Sequence, residues 1–297
     1  MTKQRIFTGA ATALVTPFLN GTIDYESYGN ILEKQIEGKI DALVVCGTTG
    51  EASALKDEEH RALIEYTVEK VAGRVPVIAG TGSNDTEYAI SLSKHACEVG
   101  ADALLLVTPY YNKTSQRGLV KHYFTIADQV TKPMIIYNVP SRTGLNVLPE
   151  TYAELAKHEK IVAAKEANGN ITSVAQTIHL CGDSLDIYSG NDDQVIPIMS
   201  LGGIGVISVL SNILPAETHK MCQLYLDGKT KEAAKMQVDY VPLIDSLFCE
   251  VNPIPVKAAM EALGLCDGAL RLPLCEISSS NYERLVKDMK EAGMKLK

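Results

Sequence analysis

The sequence predicts an α/β chain built as a single (β/α)₈ TIM barrel with a C-terminal helical appendage. Three observations carry this expectation. Eight short apolar runs rich in β-branched residues recur along the chain, their starts separated by roughly 20 to 34 residues. Each run ends in Gly, Thr, Pro or Asn and gives way to a helical pattern. The glycine fingerprint GxGxxG that an open dinucleotide-binding sheet would place after a strand does not occur: GTGSN from Gly80 and GGIG from Gly202 do not fit it.

The runs are ATALVTPF from Ala11, ALVVCG from Ala42, PVIAGT from Pro76, ALLLVTPYY from Ala103, PMIIYNVP from Pro133, IVAAKEA from Ile161, LDIYSG from Leu185 and GVISV from Gly205. Near-continuous apolarity marks strands buried on both faces, as in a parallel sheet. The intervals carry helical stripes: Ile64, Val68 and Val71; then Ala89, Leu92, Ala96 and Val99; then Leu119, Tyr123, Ile126 and Val130. Asn84 is placed to cap the second of these helices, with Glu87 three residues on and Gly100 at its end. The catalytic barrel is expected over 1–225 and the helical region over 226–297. In the latter, Lys229–Phe248, Pro253–Leu263 and Ser280–Ala292 read as helices, with Pro253 and Pro255 interrupting and Gly264, Gly268 and Pro273 marking a loop.

Composition narrows the function classes. The 297 residues are 46% hydrophobic and 22% charged, ordinary for a globular chain that buries a sizeable core. A net charge of −8 without a Lys/Arg-rich run argues against nucleic acid. No apolar stretch approaches the ~20 residues of a membrane span. Seven scattered cysteines without CxxC, and an N-terminus lacking a secretory h-region, point to the cytoplasm. The six histidines are dispersed without HxH or HExxH, and neither a Walker A motif nor a serine elbow is present, so neither a metal nor a cofactor is expected.

A barrel of this kind places its chemistry at the C-terminal ends of the strands. Those ends carry Thr48, Thr49 and Gly50 after strand two, Tyr110 and Tyr111 after strand four, Tyr137 and Arg142 after strand five, Lys165 in strand six and Gly190 after strand seven. A lysine following Ile-Val-Ala-Ala in a buried strand is costly as an ammonium, and desolvation lowers its pKa toward the neutral amine that attacks ketones. The plainer alternative is an ammonium paired with a barrel carboxylate or a bound anion. Lys257, in a helix, and Lys113, in a loop, are weaker candidates. Tyr137 and Tyr111 offer phenols for proton relay, coupled through Thr49; the plainer reading is packing with a satisfied hydroxyl. Thr48, Thr49 and Gly50 form either a nest for a carboxylate or a tight turn. Arg142 is either a forked carboxylate donor or a surface ion pair.

Seven segments taken together, GTTGE (47–51), AGTGSN (79–84), TPYYN (108–112), YNVPSRTG (137–144), KEA (165–167), SGND (189–192) and GVISV (205–209), resemble the pyruvate-dependent class I aldolases of the N-acetylneuraminate lyase superfamily over essentially the whole chain. YNVPSRTG and NPIPVK (252–257) are most similar to its 4-hydroxy-tetrahydrodipicolinate synthase (dihydrodipicolinate synthase) family. The resemblance implies a lyase that condenses pyruvate with L-aspartate 4-semialdehyde through an imine on Lys165, in diaminopimelate and lysine biosynthesis. It implies a proton relay of Tyr137, Thr49 and Tyr111, a pyruvate carboxylate site at Thr48 and Thr49, a semialdehyde carboxylate partner in Arg142, and backbone carbonyls of Gly190 and Ile207 facing the site. The position of Tyr111 implies a homodimer or a homotetramer formed as a dimer of dimers, this tyrosine reaching the neighbouring site. Ser53, His60, Asn84 and Tyr110 lie at positions of the allosteric lysine site of inhibited members. Asp57 and Tyr88 replace the histidine and glutamate of that site, so weak or absent feedback by lysine is expected. Competing readings are a sugar-acid lyase of the same superfamily, a non-catalytic pyruvate or amino-acid sensor, and a metal-dependent aldolase.

Overall fold

The computed structural model describes residues 3–297. Each of the eight apolar runs contributes one strand: β1 (Gly9–Ala13), β2 (Ala42–Val45), β3 (Val77–Gly80), β4 (Ala103–Val107), β5 (Met134–Asn138), β6 (Ile161–Glu166), β7 (Asp186–Ser189) and β8 (Gly205–Ser208). All neighbours are parallel and the sheet closes on itself, with Ala11 of β1 paired to Ile207 of β8 on one side and to Ala42 of β2 on the other. The first apolar run is longer than its strand. Phe18–Leu19 and Thr22–Ile23 instead form a small antiparallel ribbon around Asn20-Gly21, where both residues take positive φ. Asn-Gly is the usual connection of such a ribbon because it adopts left-handed backbone at little cost.

Strand pleating sorts the side chains into two layers. Ala103 and Leu105 of β4, Ile135 and Tyr137 of β5, and Ala163 of β6 fill the barrel lumen. Leu104, Leu106, Ile136 and Ala164 face outward beneath the helices. Phe7 stacks on Tyr188 at a ring-centroid separation of 4.2 Å, and the Tyr188 hydroxyl donates to the Phe7 carbonyl at 2.7 Å, plugging the lumen at its amino-terminal end.

The helices that follow the strands are α1 (Tyr25–Glu37), α2 (Asp57–Val71), α3 (Thr86–Glu98), α4 (Gln116–Ala127), the short α5 (Pro140–Thr143) and α6 (Pro149–Leu155), α7 (Ile171–Cys181), α8 (Val195–Ser200) and α9 (Pro215–Leu226). Asp24, Ser115 and Asn170 cap α1, α4 and α7 through their side chains. The cap of α3 corrects the sequence expectation. Asp85, not Asn84, accepts the backbone N–H groups of Glu87 and Tyr88, while the Asn84 carbonyl accepts from Asn112 Nδ2 at 2.9 Å. An aspartate carboxylate also complements the positive helix end, which a neutral asparagine does not. Beyond the barrel, α10 (Thr230–Leu247), α11 (Ile254–Ala262) and α12 (Ser279–Glu291) pack on one another, and α10 lies along α9. Among the described residues no helix is long and apolar enough to cross a membrane.

Candidate active site

The two-residue period of β6 turns Lys165 into the lumen with Ala163 and turns Glu166 outward with Ala164. Lys165 and Tyr137 are direct register partners on adjacent strands, and Lys165 Nζ lies 4.3 Å from the centre of the Tyr137 ring. Both side chains are buried. No carboxylate is in salt-bridge contact with Lys165 among the described residues. Burial therefore dominates its titration and lowers its pKa to about 7; the negative charge of nearby Asp192 opposes this and the Arg142 cation adds to it. The carboxylate partner of the plainer reading is not found beside Lys165 among the described residues. Burial raises the pKa of the Tyr137 phenol, against a smaller lowering by Arg142. A phenol of that kind exchanges protons with a partner in contact and stays protonated otherwise.

Glu166 is the outward-facing counterpart. Asn138 Nδ2 reaches both its oxygens, at 3.0 and 3.1 Å, the Tyr152 hydroxyl donates at 3.1 Å, and the Asn168 N–H donates at 2.9 Å. Burial raises its pKa to about 7 despite these donors. The cluster ties the tips of β5 and β6, which carry Tyr137 and Lys165, to α6 and to the loop after β6.

Thr48 and Thr49 sit on the turn after β2, with Thr49 buried. Asn252 Nδ2 donates to Thr49 Oγ1 at 3.0 Å, and the Asn252 carbonyl accepts from Arg142 Nη2 at 2.9 Å. One residue of the helical region thus joins the threonine loop to the arginine, and its own Oδ1 is buried without a partner. Gly190 lies against Lys165: a Cβ there would stand 3.2 Å from Lys165 Cγ and 2.8 Å from Ala167 Cβ. Ile207 is buried in β8 and borders the lumen. Asp192, fully enclosed, accepts from the N–H groups of Val209 and Leu210, each at 2.9 Å, and its second oxygen has no partner.

A cavity of about 530 Å³ opens over this rim, lined by Thr48, Tyr137 and Arg142 on one side and by Ser53, His60, Tyr88 and Tyr110 on the other. Asn84 is not part of its wall; it borders a smaller hollow with Asn112. The Tyr88 hydroxyl donates to Asp57 Oδ1 at 2.9 Å, and Arg61 Nε binds Asp57 Oδ2 at 2.8 Å. The structure therefore gathers Lys165, Tyr137, Thr48, Thr49, Arg142, Gly190 and Ile207 around one end of the barrel. Tyr111 stands apart. It is 94% exposed, held at φ +66°, and does not line the cavity. Asn252 and Asp192 belong to the assembly but were not singled out in the sequence, although both fall inside quoted segments, NPIPVK and SGND. Among the described residues no group of three or more His, Cys, Asp or Glu could hold a metal ion.

A family model described as the dihydrodipicolinate synthetase family matches residues 6–292. The chain belongs to this family. It is 52% identical over 292 residues to a 4-hydroxy-tetrahydrodipicolinate synthase of Acetivibrio thermocellus, covering 98% of this chain and 99% of that protein. The crystal structure of dihydrodipicolinate synthase from Aquifex aeolicus superposes with a TM-score of 0.96 at 44% identity, covering 98% of this chain and 100% of that one. A dihydrodipicolinate synthase variant described as the first monomeric one superposes with a TM-score of 0.95 at 42% identity, covering 97% of each chain.

Proposed function

We propose that this chain is a lyase that condenses pyruvate with L-aspartate 4-semialdehyde to 4-hydroxy-tetrahydrodipicolinate, in diaminopimelate and lysine biosynthesis, and that Lys165 carries the reaction as an imine. The observation that supports this most directly is Lys165 itself: an amine inside a barrel lumen, without an ion-pair partner, with its pKa lowered to about 7. A substantial neutral fraction at physiological pH is what attack on a keto carbon requires.

The amine adds to the keto carbon of pyruvate, and loss of water gives the imine. The imine withdraws electrons, so a methyl proton leaves and an enamine forms. The enamine carbon attacks the aldehyde of the semialdehyde, whose oxygen takes a proton. The semialdehyde amine then adds to the imine carbon and displaces Lys165, closing the ring and freeing the enzyme. Tyr137, in contact with Lys165, moves protons between nitrogen and oxygen, with Thr49 and Tyr111 completing the relay. Thr48 and Thr49 hold the pyruvate carboxylate, Arg142 the semialdehyde carboxylate, and the carbonyls of Gly190 and Ile207 face the substrates. No step in this sequence calls for a metal or a cofactor. Tyr111, 94% exposed on its own chain, completes the relay of a second copy, as a homodimer or a homotetramer. Seven cysteines, all free among the described residues, support a cytoplasmic location.

Borohydride reduction in the presence of pyruvate, followed by peptide mass analysis, tests the imine. An adduct confined to Lys165 supports it, and its absence or a different attachment point defeats it. Turnover with the semialdehyde separates this substrate from the sugar-acid aldehydes of related lyases. The Tyr88–Asp57–Arg61 cluster supports the second reading, weak or absent inhibition by L-lysine. Tyr88 brings no carboxylate toward an effector ammonium, and Asp57 is already engaged. Half-inhibition at sub-millimolar L-lysine would overturn it.

A further inference from the structure

We propose that the buried Lys257–Glu51 ion pair positions the Thr48–Thr49 loop for the carboxylate of the 2-oxo acid. The proposal rests on the function given above and adds two positioning residues to it, neither of which touches substrate.

Lys257 projects from α11, and its side chain and that of Glu51 are completely shielded from solvent. Lys257 Nζ donates to Glu51 Oε1 at 2.7 Å and to the Thr16 carbonyl at 2.9 Å, and it lies 4.3 Å from the centre of the Phe18 ring. The other Glu51 oxygen accepts the Arg271 N–H at 3.0 Å. The Arg271 guanidinium also lies 4.3 Å from the Phe18 ring centre, and it forks onto Glu59 at 2.6 Å through each of two nitrogens. Every charged atom of the pair thus has a partner, the condition under which two buried ions are tolerated.

The geometry links this pair to the substrate site through a very short path. Glu51 follows Thr48 by three residues and Thr49 by two, and its backbone is left-handed at φ +53°, which ends the turn. Thr16 holds the same turn from below, its hydroxyl donating to the Gly50 carbonyl at 2.7 Å while its own carbonyl takes Lys257. The segment that supplies Lys257 also supplies Asn252, which donates to Thr49. One stretch of the helical region, 252–257, therefore grips the loop at two points on either side of Gly50. A buried ion pair is weak evidence for stability, since apolar residues of similar size often serve as well. What the pair provides that an apolar contact does not is directional fixing of a turn whose hydroxyl and N–H groups must face an anion.

The test compares Lys257→Met with the double variant Glu51→Leu/Lys257→Met, reading kcat, the KM for pyruvate and the Tm of the full-length enzyme. Expected is a rise of about tenfold in the KM for pyruvate in both, with kcat changed by less than about threefold, because carboxylate capture is lost while Lys165 is untouched. The single variant leaves Glu51 buried and unpaired and should lower Tm; the double variant should recover most of that loss. A double variant that regains the wild-type KM together with its Tm, or two variants that both keep the wild-type KM, overturns the proposal. Should Lys257→Met fail to fold, the double variant decides alone. Borohydride trapping of the wild-type enzyme separates the two claims. Without an adduct on Lys165 the function itself fails; with the adduct and an unchanged KM, only the positioning role fails.

Discussion

Among the described residues two lysines are buried, and their surroundings could hardly differ more. Lys257 meets a carboxylate, a carbonyl and an aromatic face within one shielded pocket, and the Glu51 charge resists the lowering of its pKa that burial imposes. Lys165 meets the Tyr137 ring and no carboxylate in contact, and burial lowers its pKa to about 7. The same side chain meets a hydrogen-bonded carboxylate in one place and none in the other, and burial lowers its pKa in both. Desolvation acts on both; the presence of a hydrogen-bonded counter-charge separates them. Burial alone therefore does not mark a reactive lysine. The counter-charge, not the burial, is what differs between the two.

The largest effect expected from that difference is on covalent trapping. Lys165→Met should abolish the pyruvate adduct and lower kcat/KM by at least about 10³-fold, whereas Lys257→Met should still trap pyruvate on Lys165. An adduct appearing on Lys257 in the Lys165→Met variant would erase the distinction. Next comes the proton relay. Tyr137→Phe keeps the ring that covers Lys165 and removes only the hydroxyl, so turnover should fall about 10²-fold, the usual scale for loss of a general acid–base group. Steady-state rates within twofold of wild type would relegate Tyr137 to packing.

A smaller effect is expected at Gly190. Alanine there places a methyl 3.2 Å from Lys165 Cγ, 3.1 Å from the Glu166 carbonyl oxygen and 2.8 Å from Ala167 Cβ. The lysine stem must shift, and kcat should drop roughly tenfold with little change in secondary structure by circular dichroism. The mildest effect is on pH dependence. The nucleophile is the neutral amine, so the rate of imine formation should rise as pH increases through about 7 and level off above it. Stopped-flow rates at pH 6 should be about a tenth of the plateau. A flat profile from pH 6 to 9 would show that Lys165 does not titrate in this window.

The barrel was legible because β-branched runs buried on both faces are distinctive, and because each strand end exposes the polar residues that the lumen excludes. Lys165 was legible for the same reason: it interrupts such a run with the parity of Ala163. What sequence spacing hid was whatever depends on distance between remote segments. Glu51 and Lys257 are 206 positions apart and Asn252 and Thr49 are 203 apart, and nothing local in either partner signals the other. In the sequence Lys257 is only a weaker candidate for the reactive amine, placed on a helix, with nothing local to name Glu51 as its partner. The first apolar run ends at Phe18, where the ribbon begins, and the ribbon's other residues lie beyond it although Asn20-Gly21 signals a tight turn. The exchange of Asn84 for Asp85 as helix cap is a one-residue ambiguity between two good capping residues, settled by charge.

The exposure of Tyr111 carries a consequence for how the enzyme behaves on dilution. Its phenol is 94% exposed on a left-handed backbone position and lines no part of its own chain's cavity. On the proposed assembly, turnover per chain is then a function of protein concentration. As copies separate, ring formation should fade, while the capacity to form the pyruvate imine on Lys165, which needs only the barrel's own lumen, outlasts it.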